Sequence, residues 1–270
     1  MLTLRQMRWK LAKTDLRVPL VWYRHRGLRD SDMFIAGYPR SGTTWLRFML
    51  YEILSGKDTE FESVNDAIPE VGQKRTGMPL LEGGGRLLKT HELYRPDYKR
   101  AVYIARDVRD VAVSEYFYLT MKRYIPRQEF DVFLSNFLRH RVNTFGSWIT
   151  HVASWLEAME THRVELLVVK YEQLLEQKQQ ELERIVSFLG LEVDRGRIRS
   201  AIEHNSRDQM RRKEDHARKT IFKSFRDDIR FVRKAASGGW RETITEPQLA
   251  AIESRARQPL VQLGYPLYGG

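Results

Sequence analysis

The stretch Met33-Phe-Ile-Ala-Gly-Tyr-Pro-Arg-Ser-Gly-Thr-Thr-Trp-Leu-Arg-Phe-Met-Leu50 decides the fold. Residues 33–37 form an apolar run of strand type, 38–42 a turn rich in Pro, Ser and Gly, and 43–54 an amphipathic helix. A strand entering a helix through such a turn aims main-chain N–H groups and a positive helix end at one point. That makes a cradle for a phosphate. Gly42 lets the main chain approach an oxygen closely, and Ser41, Thr43 and Thr44 add hydroxyl donors. Arg40 supplies permanent charge, and Trp45 offers a flat face for a base. The loop pattern G-x-x-x-x-G-K-[ST] would need Lys at position 43, where the chain has Thr43. Arg40 is the only cation inside the loop. The expected ligand is therefore a phosphate ester, held otherwise than in an ATPase.

Outward from this loop, Arg86–Lys89, Ala101–Ala105 and Glu165–Lys170 read as further strands. Glu165–Lys170 is an unbroken apolar run of the kind found in a parallel sheet covered on both faces. Helical patterns fall at about 109–122, 130–140, 146–161, 172–190, 194–204 and 246–263. Strands alternating with helices predict an α/β three-layer sandwich with a central parallel sheet. Residues 55–85, punctuated by Gly and Pro, read as a long irregular insertion on the substrate side. Residues 205–239 are basic and lack clear periodicity.

In such sheets ligands bind outside the carboxyl ends of the strands. Four strand ends carry fitting residues: Tyr38–Thr44, Lys89–His91, Arg106 and Lys170–Tyr171. A His at a strand end can serve as a general base near neutral pH, and Lys89 falls on the same side of an ideal strand as His91. Arg106 closes one strand and Ser114 lies two turns into the next helix, so both can reach one phosphate. Asp107 or Asp110 is placed to cap that helix. Arg233-Lys234 followed by Gly238-Gly239-Trp240 suits a loop that wraps a phosphate.

The chain has 270 residues, 42% hydrophobic and 30% charged, which fits one large soluble domain. It has no cysteine, which excludes disulfides, thiolate catalysis and Cys-based metal sites. The net charge of +11 favours anionic partners. No run approaches the ~18–20 apolar residues of a membrane span. The N-terminus lacks an uninterrupted apolar core of the secretory type. A cytoplasmic, soluble protein is expected. Leu4, Met7 and Leu11 share one helical face ringed by Arg5, Arg8 and Lys10, which suits either weak contact with a membrane surface or packing on the domain.

From residue 33 onward these motifs together resemble the sulfotransferases that use 3′-phosphoadenosine 5′-phosphosulfate (PAPS). Tyr38–Trp45 is similar to that family's 5′-phosphosulfate loop, with Arg40 where its lysine usually stands. Arg106–Ser114 resembles its 3′-phosphate motif, and Lys89-Thr90-His91 the strand end bearing its catalytic histidine. The resemblance implies one domain over 1–270, with a basic extension over about 1–30 and a cofactor-covering loop at 205–239. It implies sulfuryl transfer from PAPS to a hydroxyl or amine, leaving PAP, with no metal and no nucleic-acid partner. His91 is then the base, with Lys89 and Arg40 stabilising charge. Arg40, Ser41, Gly42, Thr43, Thr44, Trp45, Arg106, Ser114, Tyr171, Asn205, Ser206, Arg233 and Lys234 hold the donor. The loop reads Arg-Lys-Ala rather than Arg-Lys-Gly at 233–235, and Arg207 stands where an aromatic often covers the adenine.

The acceptor is expected to be a glycan, glycolipid or polar natural product. Tyr116, Phe117, Tyr118, Tyr124 and Phe130 are candidates either for its wall or for core. Two rival readings remain open at this point. A P-loop kinase or NTPase would use Asp107 on magnesium. A nucleic-acid-binding module would use the basic, Phe-interleaved stretch 205–234.

Overall fold

The computed structural model describes residues 14, 17–73, 77–192, 194–233 and 236–268. Lys234, Ala235 and the Leu4-Met7-Leu11 face lie outside the described residues.

Helix α1 (Arg17–Arg24) precedes strand β1 (Met33–Ala36), which enters α2 (Thr43–Ser55). A short α3 (Phe61–Ala67) follows, then β2 (Leu87–Thr90), β3 (Arg100–Ala105) and α4 (Val108–Met121). Helices α5 (Phe130–Leu138) and α6 (Trp148–Glu160) lead to β4 (Glu165–Lys170). The chain continues through α7 (Tyr171–Glu176), α8 (Lys178–Phe188), α9 (Arg195–His204), α10 (Arg207–Ala217) and α11 (Glu246–Gln262).

The four strands form one parallel sheet in the order β2-β1-β3-β4. Successive residues of β1 face opposite layers, as the pleat requires. Phe34 and Ala36 join a core with Tyr103, Val111, Trp148, Trp155 and Ile252, under α4, α6 and α11. Ile35 joins the opposite core with Leu46, Met49, Val102, Ile104, Leu182 and Ile198, under α2, α8 and α9. This is the expected three-layer sandwich. The strand order changes direction beside β1, so the crevice past the end of β1 is where a ligand belongs.

Three local readings are corrected. The stretch 55–85 contains α3, whose start is closed by reciprocal bonds between Glu60 and Ser63. The helical pattern at 172–190 breaks at Gln177, giving α7 and α8. The supposed loop 205–239 contains the full helix α10. Its hydrophobic signal is weak because it buries only Met210, Glu214 and Ala217, one of them a carboxylate.

That carboxylate anchors a later segment of the chain. Glu214, 1% exposed, accepts the main-chain N–H groups of Phe231 (2.8 Å) and Val232 (2.9 Å). Arg211 of the same helix donates to the carbonyls of Val232 and Arg233 (3.2 and 2.6 Å). The segment 231–233 is thereby strapped to α10. Glu214→Gln removes the charge from these bonds, a loss of roughly 1.5–3 kcal/mol for a charged acceptor. The Phe231 and Val232 amides are expected to exchange hydrogen at least about tenfold faster in that variant. Unchanged exchange would show that the strap is held elsewhere.

Candidate active site

Past the end of β1 the main chain reverses hand twice. Arg40 has φ 71° and Gly42 φ 101°, both in the left-handed region. Alternating left- and right-handed residues turn successive N–H groups into one concavity. Gly42 is obligatory, because a Cβ there would lie 2.6 Å from the Tyr171 ring. A Cβ on Gly37 would lie 2.7 Å from the Ile104 carbonyl oxygen, so β1 and β3 approach too closely for any side chain. Thr43, Thr44 and Trp45 form the first turn of α2. The Trp45 indole N–H donates to the Asn205 carbonyl (2.8 Å), and its ring meets Tyr171 edge-on. The Ser41 hydroxyl is buried without a hydrogen-bond partner.

The cradle opens into a cavity of about 910 Å³. Arg40, Arg106 and Arg233 all line it. Arg40 donates from Nε to the Ser114 hydroxyl (3.2 Å) and lies between the rings of Tyr118 and Phe231. Arg106 donates to the carbonyls of Arg40 (3.0 Å) and Ala236 (3.2 Å) and covers Tyr171 at 4.2 Å. Its Nε is buried without a partner. Arg233 stacks on Phe117 at 3.6 Å, and burial, then Arg40 and Arg106, push it down to about 10. Burial lowers Arg40 too, with Arg106 adding to it. Three guanidinium groups thus face one cavity, where burial and, for Arg40 and Arg233, neighbouring guanidinium groups disfavour the charged form. A bound anion would favour it.

The segment around Gly238–Trp240 is fixed by Asp110, which accepts N–H groups from Gly238 (2.7 Å) and Trp240 (3.0 Å). Of the two capping candidates it is Asp107 that caps α4, accepting from the Arg109 main-chain N–H. Asp107 is further held by the Arg109 guanidinium at 2.7–3.0 Å. It has no freedom to serve as a magnesium ligand.

Lys89, in β2, and His91, just past its end, also line the cavity. His91 Nδ1 lies 2.6 Å from the Gly37 carbonyl. A carbonyl only accepts, so Nδ1 carries the proton and Nε2 keeps its lone pair. Burial, then the Lys89 charge, hold His91 down at about 3, so the ring is neutral. Behind it, His151 Nε2 donates to the His91 carbonyl (3.1 Å), and the Tyr103 hydroxyl meets Nδ1 at 3.0 Å. Burial also holds His151 at about 3.

Both histidines make the fold acid-sensitive. Above pH ~6.5 they are neutral whether folded or unfolded. Below it only the unfolded chain takes up their protons, so stability falls as pH drops from ~6.5 towards 3. His151 alone should cost on the order of 2 kcal/mol at pH 5 relative to pH 7.5. Urea midpoints at the two pH values test this. The His151→Asn variant should lose distinctly less than wild type, and equal losses would clear His151.

Most of the expected residues meet at this cavity: Arg40, Gly42, Thr43, Thr44, Trp45, Lys89, His91, Arg106, Ser114, Tyr171, Ser206 and Arg233 line it. Ser41 and Asn205 are not among the lining residues: Ser41 is buried within the turn, and the Asn205 side chain is fully buried and joins Glu52 (2.8 Å), Thr59 (2.8 Å) and Lys213 (2.8 Å), tying α2 to the α9–α10 corner. Only the Asn205 carbonyl serves the site, through Trp45. Of the aromatic candidates, Tyr118 and Tyr124 reach the cavity, whereas Tyr116, Phe117 and Phe130 pack on the core. Glu70, Glu115 and Phe145 also line the cavity. They fall within stretches 55–85 and 115–145, expected from the sequence to line the acceptor pocket, but no sequence pattern singles them out: Glu115 lies about a third of a turn round the helix from Ser114, and Glu70 and Phe145 come from irregular segments.

A family model of the sulfotransferase domain matches residues 30–264. The chain belongs to the sulfotransferase family. Sulfotransferase 1A1 of Rattus norvegicus is 32% identical over 236 residues, 80% of either chain. Its counterpart in Canis lupus familiaris is 30% identical over 258 residues, 86% of either chain. Among solved structures, mouse sulfotransferase SULT7A1 complexed with PAP matches with a TM-score of 0.65 at 25% identity, covering 86% of this sulfotransferase and 85% of that chain. Retinol dehydratase with retinol and PAP matches at TM-score 0.69 and 22% identity, covering 92% and 88% of the two chains, and shows the shared fold. The P-loop-like α/β architecture read from the sequence is that of this family. No helix among the described residues is long and apolar enough to cross a membrane.

Proposed function

We propose that this sulfotransferase moves a sulfuryl group from PAPS to a hydroxyl, or an amine, of a small polar acceptor, with His91 as general base. The observation that carries this reading is the pairing of an arginine-lined anion cradle with a neutral imidazole in one cavity. The cradle fits a nucleotide bearing two anionic groups. Arg106, which lines the cavity, keeps its Nε buried without a partner, and Tyr171 packs close against Gly42 beside it.

PAPS supplies the sulfuryl group on a phosphate oxygen and leaves as PAP. The main-chain N–H groups after Arg40, with Thr43 and Thr44, hold the 5′ side. Arg106, Ser114 and Arg233 hold the 3′-phosphate, with Lys234 assigned beside them from sequence. Trp45 and Tyr171 bound the base. His91 Nε2 takes the acceptor proton as the new bond to sulfur forms. Lys89 and Arg40 steady the charge that develops on the oxygens around sulfur. The pull of a bound anion raises the proton affinity of His91 above its value in the empty cavity.

The acceptor end mixes Tyr118, Tyr124 and Phe145 with Glu70, Glu115, Lys122 and Asn143. Rings with charged and amide neighbours suit a hydroxyl-bearing natural product or sugar conjugate better than a purely apolar phenol. The domain spans the chain, 205–239 covers the donor, and the reaction is cytoplasmic in this reading. The basic stretch 205–234 does not favour a nucleic-acid surface. Arg218, Arg226 and Arg230 pair with Asp227, Asp228 and Asp215 nearby, and Arg211 and Lys213 bond the fold itself. Transfer of radiolabelled sulfate from PAPS across an acceptor panel tests the proposal. Magnesium-dependent ATP turnover with no transfer from PAPS would overturn it.

A further inference from the structure

Glu70 belongs to the irregular insertion, yet it is positioned like a strand residue. Lys89 N–H donates to the Pro69 carbonyl (2.9 Å), and Val71 N–H donates to the Lys89 carbonyl (2.8 Å). Residue 70 therefore runs as a one-residue parallel bridge along the free edge of β2. This fixes both side chains on the cavity side of the edge. The Glu70 carboxylate lies 3.0 Å from Lys89 Nζ, and both groups line the cavity beside His91.

We propose that Glu70 is a positioning residue for sulfuryl transfer: its carboxylate keeps the Lys89 ammonium charged and aimed into the cavity through the working pH range. The need for such a group arises from the surroundings of Lys89. Its side chain is only 11% exposed. Burial favours its neutral form, and Arg47, itself buried on α2, works in the same direction. Glu70 opposes both, with Tyr118 adding a smaller effect from α4. Burial pushes the Glu70 carboxyl up, but Lys89, His91 and Arg47 outweigh it and hold it well below its ordinary range. The carboxylate thus stays ionised wherever the enzyme works.

The consequence is chemical. As the bond from sulfur to the phosphate oxygen breaks, its electron pair stays on that oxygen. The bond to the acceptor oxygen forms and the acceptor proton passes to His91. Lys89 can answer the developing charge only as an ammonium. Removing the carboxylate leaves burial and Arg47 opposed only by the smaller effect of Tyr118, so Lys89 releases its proton at lower pH, and turnover fails at lower pH on the alkaline side.

This inference rests on the assignment of Lys89 in the proposed function, and the test separates the two. Lysine labelled at Nζ and Cε gives the titration of Lys89 directly by NMR, identified by its loss in Lys89→Met. In Glu70→Gln its midpoint should fall by at least about one pH unit. The alkaline limb of kcat should move down with it, a loss of about tenfold above that limb. Glu70→Asp should restore most of both, and PAP affinity and the thermal midpoint report on folding. An unmoved Lys89 titration in Glu70→Gln overturns the proposal. A Lys89 titration that falls while the rate profile stays put also overturns it. In that case near-normal turnover by Lys89→Met would locate the failure in the catalytic assignment of Lys89, not in its pairing with Glu70.

Discussion

Replacing His91 with Ala is expected to lower kcat by on the order of 10²–10⁴, the usual contribution of a positioned general base. The geometry makes this a clean experiment. The His91 side chain meets the fold through a hydrogen bond to Gly37 and a tilted contact with Phe145, and the main-chain bond from His151 survives its truncation, so the cradle and the arginines are expected to stay in place. PAP affinity should therefore change little while turnover collapses. Because the ring is held neutral with its Nδ1 proton fixed on a carbonyl, no rearrangement is needed before Nε2 can accept a proton. His91→Gln should be as slow as the Ala variant, since an amide does not act as a base. Near-normal kcat in a folded His91→Ala variant would remove His91 from the mechanism and turn attention to the carboxylates of the acceptor wall.

The Arg106→Ala variant is expected to fail differently. PAP binding measured by calorimetry should weaken about 100-fold, within the roughly 2–5 kcal/mol expected on truncating one partner of a buried charged contact. At saturating donor, kcat should fall far less, because Arg106 is assigned to the end of the nucleotide remote from the transferred group. Arg106 also braces the empty site through the carbonyls of Arg40 and Ala236. A lowered thermal midpoint is thus part of the expectation. Arg106→Lys, which keeps the charge but loses the fork, should fall between the two. An unchanged dissociation constant for PAP would disprove the 3′-phosphate assignment.

Much of this arrangement is legible in the chain because it obeys short-range rules. The strands at 33–36, 100–105 and 165–170 announce themselves as apolar runs, and parallel sheets gather ligands at strand ends. Positions 40–45, 89, 91, 106 and 114 therefore fall together from the residues alone. Two physical causes hide the rest. Long-range pairing leaves no periodic trace, as with Glu70, which reaches the sheet by a single bridge. Polar burial also disguises structure. Helix α10 hides a carboxylate where apolar residues would mark a buried face, so its stretch reads as loop. Asn205 shows the opposite error: its place in a family pattern suggests contact with the nucleotide, whereas its side chain is saturated by Glu52, Thr59 and Lys213.

The residues proposed to grip the donor and those proposed to face the acceptor come from different parts of the chain. In that proposal the loop after β1, Arg106 and the segment 231–233 hold the donor, whereas residues 70–73, the second half of α4, Tyr124 and the segment 143–145 face the acceptor, and all these stretches contribute to the cavity lining. Such a division would make the enzyme a chassis for retargeting. A mutant library confined to Gln73, Leu119, Tyr124, Thr144 and Phe145 is expected to sample new acceptors while leaving every residue proposed to grip the nucleotide untouched.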